Sequence, residues 1–281
     1  MTYIRKPEWL KTRIFSDNQF SVVSDAVKIG GLHTICTSGR CPNHSECWNR
    51  GTATFMIGGE VCTRSCRFCN TLTGKPQPLN ADEPQRVAQS VKSLALRHVV
   101  VTSVDRDDLT DKGAAHWAAT IRAIKQENPA TTIEVLIPDF DGKTELIDLV
   151  INEKPNVVSH NLETVRRLTP QIRTKAKYET SLNVLKHIAA SGTPAKTGIM
   201  LGLGEEASEI LQTMDDALAV GVTIFTMGQY LQPSRQNIAV SAYIHPEKFA
   251  EYRKIGLQKG FRHVESAPFV RSSYHAERHV C

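Results

Sequence analysis

An α/β fold built on a mostly parallel sheet is predicted by two features of the 281-residue sequence. Short, β-branched apolar runs recur along the middle of the chain, as they do in buried parallel strands. Stretches with spaced apolar residues separate these runs, as expected of helices that cover a sheet. Six strand–helix units in succession imply a parallel sheet with helices outside, and this count fits a doubly wound sheet and an incomplete barrel equally well.

The elements are predicted in chain order from these two patterns. The strands are expected at residues 52–57, 98–102, 132–137, 156–159, 195–201 and 222–227. The helices are expected at residues 84–96, 113–127, 143–152, 178–190, 205–219 and 246–259. Glu83 and Pro84 suit a helix start, and Gly192 and Gly260 suit helix ends. In both architectures ligands bind at the carboxyl ends of the strands, so the loops after these strands are expected to form the site.

The composition excludes several classes of protein. No run approaches 18 apolar residues, which excludes a membrane-spanning helix. A hydrophobic fraction of 41% and a charged fraction of 22% are ordinary for a globular chain and exclude disorder. The net charge of 34 − 29 = +5 permits an acidic partner but lacks the clustered basic footprint of a nucleic-acid binder. The first residues lack the apolar core of a secretory signal, so a cytoplasmic protein is expected.

The cysteines carry the strongest chemical signal. Six of the seven lie between positions 36 and 69, and an odd count disfavours a disulfide framework. Cys62, Cys66 and Cys69 follow the first predicted strand with the spacing C-x3-C-x2-C. Three thiolates can hold three irons of a [4Fe–4S] cluster and leave the fourth iron open. Zinc completed by a histidine such as His98 is the alternative, although a structural zinc usually takes four ligands in paired motifs.

A second set of cysteines precedes the first predicted strand. Cys36, Cys41 and Cys47 have the spacing C-x4-C-x5-C, again with three thiolates and one missing ligand. Two separate sets predict two clusters, because six ligands exceed the need of one. A purely structural zinc or cluster is the alternative here. Cys281 matches no motif and is interpreted as a free terminal thiol.

The first spacing resembles the signature of the radical S-adenosylmethionine superfamily, with Phe68 at the aromatic position before Cys69. The resemblance implies that the amine and carboxylate of S-adenosylmethionine bind the open iron. It also implies reductive cleavage to a 5′-deoxyadenosyl radical, which abstracts hydrogen from unactivated carbon. The motif alone does not indicate the substrate.

The two cysteine motifs together resemble the lipoyl synthase family. The similarity extends over nearly the whole chain, through the segments KPEWLK, VTSVDRDDL, HNLETV, GIMLGLGE, QYLQPS and VRSSYHA. It implies a partial (β/α)6 TIM-type barrel over residues 51–266. An N-terminal extension, residues 1–50, would carry the auxiliary-cluster cysteines, and residues 267–281 would form a C-terminal tail with the RSSY motif. Residues 1–50 otherwise read as irregular.

The resemblance also implies an activity. The family inserts two sulfur atoms at carbons 6 and 8 of an octanoyl chain that is held on a lysine of a carrier protein. It uses two S-adenosylmethionines and two [4Fe–4S] clusters per subunit, and the auxiliary cluster is consumed as the sulfur donor. In RSSY, the serine before the tyrosine ligates the fourth iron of that cluster, which corresponds to Ser273.

The same resemblance implies partners. These are octanoylated carrier domains, namely the glycine cleavage H protein and the acyltransferase subunits of 2-oxoacid dehydrogenases. An electron donor such as flavodoxin or ferredoxin and an iron–sulfur carrier protein are also implied. Neither nucleic acid nor a membrane is expected as a partner.

Residues after several strands are candidate contacts of S-adenosylmethionine. They are Phe68, Thr102, Ser103, Asn161, Glu163 and Gly202. For the segment that holds Thr102 and Ser103, a turn with helix-capping acids is the alternative. Arg64 and Arg67 flank the first cysteines and could favour a reduced cluster, or could be solvated surface charges.

Two other readings of the sequence remain open at this point. One is a different radical enzyme with an auxiliary cluster, such as a methylthiotransferase or a biotin-synthase-like enzyme. The other is a non-catalytic iron–sulfur or zinc protein, which would leave the conspicuous polar loops unexplained. In the preferred reading both clusters lie at the carboxyl ends of the strands. The N-terminal segment then covers one side, and the tail returns over the opening.

Overall fold

Ten strands form in the part of the chain that the structure, a computed structural model, describes, which is residues 5–11 and 18–280. They are β1 (His33–Thr34), β2 (Thr54–Ile57), β3 (Val61–Cys62), β4 (Leu72–Thr73), β5 (His98–Ser103), β6 (Thr132–Leu136), β7 (Val157–Ser159), β8 (Ala195–Leu201), β9 (Ile224–Gln229) and β10 (His263–Ser266).

Eight of these strands form one open sheet with the order β1-β2-β5-β6-β7-β8-β9-β10. All neighbours from β2 to β10 are parallel, while β1 runs antiparallel to β2. The order follows the chain throughout, as in a barrel, whereas a doubly wound sheet reverses its order at a switch point. The structure therefore confirms the partial TIM-type barrel.

The helices alternate with the strands. They are α1 (Asn18–Ile29), α2 (Ile35–Ser38), α3 (His44–Asn49), α4 (Glu83–Ser93), α5 (Ala114–Glu127), α6 (Thr144–Ile151), α7 (Thr169–Ile172), α8 (Tyr178–Ala190), α9 (Ala207–Ala219) and α10 (Pro246–Lys259). Pro84 lies in the first turn of α4, where its missing N–H costs nothing. Gly260 ends α10 with φ +116°, a conformation that favours glycine.

The six predicted strands and six predicted helices are all present, with ends shifted by a few residues. Two predictions about the secondary structure were wrong. A seventh parallel strand, β10, follows α10, and the pattern missed it because it is short and exposes alternate residues. The described part of residues 1–50 is not irregular, since it includes α1, α2, α3 and the edge strand β1.

The strands are buried on both faces, as their sequences predicted. Every residue of β2 and β9 is buried, and the outer helices cover them with apolar side chains such as Trp117 of α5 and Phe249 of α10. Among the described residues, no helix is long and apolar enough to cross a membrane. The sheet thus holds the loops at its carboxyl edge on a rigid base.

His160, directly after β7, ties three elements together. Its Nδ1 lies 2.9 Å from Ile137 O and its Nε2 lies 3.0 Å from Ser181 Oγ. Because a carbonyl only accepts, Nδ1 carries the proton and Nε2 accepts from the Ser181 hydroxyl. Burial, aided by the positive charge of Arg173, lowers the pKa of His160 from 6.5 to about 4.

This pKa predicts a loss of stability in acid. Below pH 6.5 the unfolded chain protonates its histidine while the folded chain does not, so stability falls until the pH reaches the folded pKa near 4. The free energy of unfolding should drop by about 3 kcal/mol across this window because of His160. Equilibrium unfolding of the parent and of His160→Gln, measured at the same series of pH values, isolates this contribution. Parallel curves for the two proteins would contradict it.

Candidate active site

The loop with the first cysteine set is closed by a small parallel ribbon. β3 pairs with β4, with Cys62 opposite Thr73, and Gly74 N donates to Cys62 O at 3.0 Å. Cys66 and Cys69 therefore lie in a loop whose two ends are pinned together. The loop follows β2, at the carboxyl edge of the main sheet, where it was predicted.

Arg64 anchors this loop to the neighbouring strand ends. Its side chain is 4% exposed and binds carboxylates from two loops. Nε lies 2.8 Å from Asp107 Oδ2, and Nη2 lies 2.7 Å from Asp139 Oδ1. Asp105 Oδ1 is 3.2 Å from Nε. The guanidinium thus joins the loops after β2, β5 and β6 at one point.

The charges of this cluster shift one another's pKa values. Arg64 lowers the pKa of Asp107 to about 2 and lowers that of Asp139 as well, against the effect of their burial. Asp105 is different, because burial raises its pKa to about 6. The interpretation of Arg64 as a solvated surface charge is therefore wrong, because its side chain is buried. Arg67, by contrast, is exposed and donates to Gln171 O.

Five of the six motif cysteines line one cavity of about 350 Å³ inside the barrel. Cys62, Cys66 and Cys69 line it at the carboxyl edge, and Cys36 and Cys41 line it farther down. Asp105 N and Arg64 N donate to Cys62 Sγ at 3.3 and 3.4 Å. Backbone N–H groups thus face the sulfur, as donors do around cluster thiolates.

Five of the six candidate cofactor contacts line the same cavity, namely Phe68, Thr102, Ser103, Asn161 and Glu163. Asn161 Nδ2 donates to Ser272 Oγ, whereas its buried Oδ1 has no partner in the described part of the chain. An unpaired buried oxygen is costly, so it marks a place for a ligand that donates a hydrogen bond. Glu163 has φ +67°, and burial raises the pKa of its carboxyl.

The structure does not place Gly202 on this cavity. With φ +98°, it packs where a Cβ would meet Gln229 Nε2 at 2.2 Å and Ala242 O at 2.4 Å. Its N–H donates to Glu205 Oε1. The glycine is therefore required by its backbone conformation and close packing, which a motif of spaced glycines does not distinguish from a ligand contact.

Arg173 lines the cavity but has no motif in the sequence. It lies just after α7, is buried, and donates to Ser181 Oγ at 2.8 Å. Its positive charge lowers the pKa of Cys66 against a larger effect of burial. It is thus a buried cation next to the first cysteine set. Nothing local predicted it, because its burial depends on the packing of α7 and α8 over the loop.

The second cysteine set lies at the amino end of β2, not at the carboxyl end. β1 runs antiparallel to β2 with Thr34 opposite Phe55, so the chain leaves β1 toward the start of β2. The backbone of Thr54, the first residue of β2, lowers the pKa of Cys36 against the larger effect of burial, which places this thiol beside the start of β2. A second cavity, of about 330 Å³, touches this cysteine set and the residues before β5. The prediction that both sets share the carboxyl edge was wrong.

The C-terminal tail is fastened to the second cysteine set. Four polar contacts among the described residues join positions more than 220 apart. Asn43 Nδ2 donates to Phe269 O at 2.7 Å, and Tyr274 Oη donates to Glu46 Oε1 at 2.9 Å. Arg50, at the end of α3, pairs with Glu277 at 3.3 Å.

Ser272 and Ser273 have different surroundings. Ser272 Oγ is engaged with Asn161, and Ser272 O accepts from Lys196 Nζ. Ser273 lines both cavities together with Cys36 and Cys41, and in residues 5–11 and 18–280 its hydroxyl has no hydrogen-bond partner. Of the two serines, Ser273 is the one with a free oxygen beside the second cysteine set. Cys281 lies outside the described residues.

The end of the tail closes the amino end of the barrel and does not return over the carboxyl edge. His279, in the 3-10 helix Ala276–His279, is buried. The centre of its ring lies 5.6 Å from that of His263, the first residue of β10. The prediction of its path was wrong because the inward side chains of β6 and β8 are charged and attract the tail.

The thiols fit iron–sulfur ligation. Burial raises the pKa of Cys36 to about 11, and burial together with the nearby Cys36 and Cys41 raises that of Cys47 to about 12. Burial and Asp105 raise the pKa of Cys62 to about 12. The electrostatic effect of Cys36 and Cys41 on Cys47 indicates that these three thiols lie near one another. In the described part of the chain, no three His, Cys, Asp or Glu side chains converge closely enough to hold a single metal ion.

Comparison with known families agrees with this geometry. Residues 56–217, more than half of the chain, match the model of the radical SAM superfamily. The chain is 61% identical to the lipoyl synthase of Parabacteroides distasonis over 278 residues, which cover 99% of each protein. It is 62% identical to the lipoyl synthase of Porphyromonas gingivalis over 279 residues, again with 99% of each covered.

Solved structures show the same fold at low identity. Streptococcus suis SuiB bound to S-adenosylmethionine superposes with a TM-score of 0.62 and 10% identity, over 80% of this chain and 54% of that one. Methylornithine synthase superposes with a TM-score of 0.56 and 12% identity, over 92% of this chain and 81% of that one. These similarities concern the barrel, whereas the relatives above share the sequence throughout.

Proposed function

The chain belongs to the lipoyl synthase family of the radical SAM superfamily, and from this premise we propose how its residues divide the work of the reaction. It inserts two sulfur atoms, at carbons 6 and 8, into an octanoyl chain carried on a lysine of a carrier protein. When bound, S-adenosylmethionine and its cluster supply the radical that removes hydrogen, and the auxiliary cluster supplies sulfur. The observation that carries the residue assignments is that Cys62, Cys66 and Cys69 share one cavity with Cys36 and Cys41 of the second set.

Cys62, Cys66 and Cys69 hold the first cluster in this proposal. The β3–β4 ribbon fixes the ends of their loop, and Arg64 fixes its middle to the ends of β5 and β6. Such support keeps ligand geometry constant, which metal sites need from the groups behind their ligands. Arg173 adds a buried positive charge beside the anionic thiolates.

Cys36, Cys41, Cys47 and Ser273 hold the auxiliary cluster. The cysteines come from α2, α3 and the turn between them, and the tail brings the serine. The three sulfurs leave one iron unliganded, and the unpaired hydroxyl of Ser273 lies beside them. An alkoxide is more basic than a thiolate and leaves on protonation, which suits a cluster that is consumed.

Phe68, Thr102, Ser103, Asn161 and Glu163 bind S-adenosylmethionine. Support comes from their place on the cavity next to the first cysteine set. The free Oδ1 of Asn161 accepts a hydrogen bond from the ligand, and the Glu163 carboxylate faces its amine or ribose hydroxyls. Gly202 shapes the neighbouring loop and is left out of the contact set.

The partners follow from the reaction. The enzyme acts on lipoyl-carrier proteins, which we take to be the glycine cleavage H protein and the acyltransferase subunits of 2-oxoacid dehydrogenases. Flavodoxin or ferredoxin supplies electrons, and an iron–sulfur carrier protein replaces the consumed cluster. A cytoplasmic location fits six free thiols in a reducing compartment. Residues 1–50, 51–266 and 267–281 act as the auxiliary-cluster segment, the barrel and the tail.

The direct test is anaerobic turnover of a short octanoyl-lysine peptide with both clusters reconstituted. The expected product gains two sulfur atoms and loses two hydrogens, as read by mass spectrometry. Cleavage of S-adenosylmethionine without any sulfur in the peptide would refute the assignment.

Carrier docking is predicted to depend on charge. The chain has a net charge of +5, and Arg40, an exposed residue, lines the cavity. Attraction to an acidic carrier raises the association rate and weakens as salt screens it. Turnover of whole octanoylated carrier should therefore fall with ionic strength more steeply than turnover of the peptide. Equal salt dependence of the two substrates would contradict the docking model.

A further inference from the structure

We propose that a buried charged network inside the barrel positions Ser273 at the auxiliary cluster. The network consists of Lys196 on β8, Glu134 on β6 and His279 near the end of the tail. It lines neither of the two cavities and touches no cysteine of either set. The inference rests on the ligand role of Ser273 proposed above and adds the residues that hold it there.

The network is centred on one ammonium group. The side chains of Lys196 and Glu134 are 0% exposed, and Nζ lies 2.6 Å from Glu134 Oε1. The same Nζ donates to Ser272 O at 2.6 Å and lies 3.3 Å from His279 Nδ1. Because an ammonium has three donors and no acceptor, these three partners use all of them. Two of the three belong to the tail.

The pair is not explained by stability alone. Removing two charges from water costs several kcal/mol per ion, and a well-packed apolar pair often stabilises a core as well or better. A buried charged pair does, however, impose direction and distance on what it binds. Here the bound groups are the backbone of Ser272 and the ring of His279, on either side of residue 273.

Ser273 is thereby held between fixed neighbours. Ser272 is fixed by Lys196 through its carbonyl and by Asn161 through its hydroxyl. Tyr274 is fixed by Glu46, on the helix that carries Cys47. The residue between them, Ser273, lines both cavities together with Cys36 and Cys41 of the second cysteine set. The contacts of Lys196 and Asn161 with Ser272 thus anchor the turn at residues 272–275 to the barrel.

The test measures the auxiliary cluster itself. In a background with Cys62, Cys66 and Cys69 changed to alanine, only that cluster is present. Lys196→Met/Glu134→Leu replaces the pair without leaving a lone buried charge. Iron loss from this variant to the chelator ferrozine should be about tenfold faster than from the parent background. Its reduced cluster should also give the altered electron paramagnetic resonance spectrum of Ser273→Ala.

Three comparisons decide the result. Adding Ser273→Ala to the network variant should cause no further increase in the rate of iron loss, since both changes remove the same ligand from the cluster. Leu185→Ala, a fully buried change in α8, controls for lowered stability and should keep the parent spectrum. In the complementary background without Cys36, Cys41 and Cys47, the network variant should leave iron loss from the first cluster unchanged.

Different results would refute the ligand role of Ser273 and the positioning role of the network. A parent-like rate and spectrum for Ser273→Ala would refute the ligand role of that serine. A labile Ser273→Ala with a parent-like network variant would refute the positioning role alone, as would additive effects of the two changes. If the double change prevents folding, Lys196→Met/Glu134→Gln removes the same ammonium contact to Ser272 O with a smaller change at residue 134. Parent-like iron loss in that variant would then refute the positioning role.

Discussion

Replacing Cys36, Cys41 and Cys47 together with alanine is expected to leave reductive cleavage of S-adenosylmethionine intact and to abolish lipoyl formation. The change removes the ligands of the sulfur-donating cluster, while Cys62, Cys66 and Cys69 keep the other cluster at the carboxyl edge of the barrel. The two sets are held by separate structures, the β3–β4 ribbon and the α2–α3 segment. Loss of one set therefore need not disturb the other.

The complementary variant, with Cys62, Cys66 and Cys69 changed to alanine, should lose both activities. Measurement requires anaerobic reconstitution, iron and sulfide analysis, and separate assays of 5′-deoxyadenosine and of the sulfur content of the peptide. The first variant should retain about half of the iron of the parent, as loss of one of two equal clusters requires. Lipoyl product from the variant that lacks Cys36, Cys41 and Cys47 would show that the sulfur comes from elsewhere.

Ser273→Ala is expected to keep cleavage of S-adenosylmethionine and to lower lipoyl formation by about 100-fold or more. Even groups that only support a metal ligand are worth about 10–100-fold in metal affinity or activity, so a ligand should be worth no less. Ser272→Ala is the matched control. It loses the contact with Asn161 but keeps the backbone carbonyl that binds Lys196, so the auxiliary cluster should remain.

A C-terminal truncation also tests the assignment of Ser273 as a ligand of the auxiliary cluster. Ending the protein after Val270 removes Ser273 and the contacts of Tyr274 and Glu277 to α3, and should destabilise the auxiliary cluster while sparing the first. Cys281→Ala should behave like the parent. If Ser272→Ala lost the auxiliary cluster and Ser273→Ala kept it, the two serines would have to exchange roles.

Much of the barrel was predictable because its signals are local. Apolar β-branched runs marked β2, β5, β6, β7, β8 and β9, since strands buried on both faces must be apolar throughout. The strand β10 was missed, because His263 and Glu265 interrupt its apolar pattern and its burial depends on pairing with β9. Helix ends were predicted where a single residue decides them, as at Gly260.

The site was predictable to the extent that its chemistry depends on spacing. The two cysteine sets and the side chains of Asn161 and Glu163 were found from sequence, and the structure places all of them except Cys47 on one cavity. Arg173 and the buried state of Arg64 were not found. Their roles require carboxylates or loops from other strands, such as Asp139 after β6, to arrive at the same point.

Local sequence patterns were enough to predict which segments form helices and strands, their order along the chain, and the two sets of cysteines that lie within a few residues of each other. These depend on periodicity and spacing, which are properties of short segments. The tertiary structure alone decided that the second cysteine set faces the amino end of β2, because this follows from the antiparallel pairing of β1. It also decided the course of the tail. Residues 269–279 contact α3, β6 and β8 through hydrogen bonds and buried charges that join positions far apart in the chain. No local sequence pattern predicts such long-range contacts.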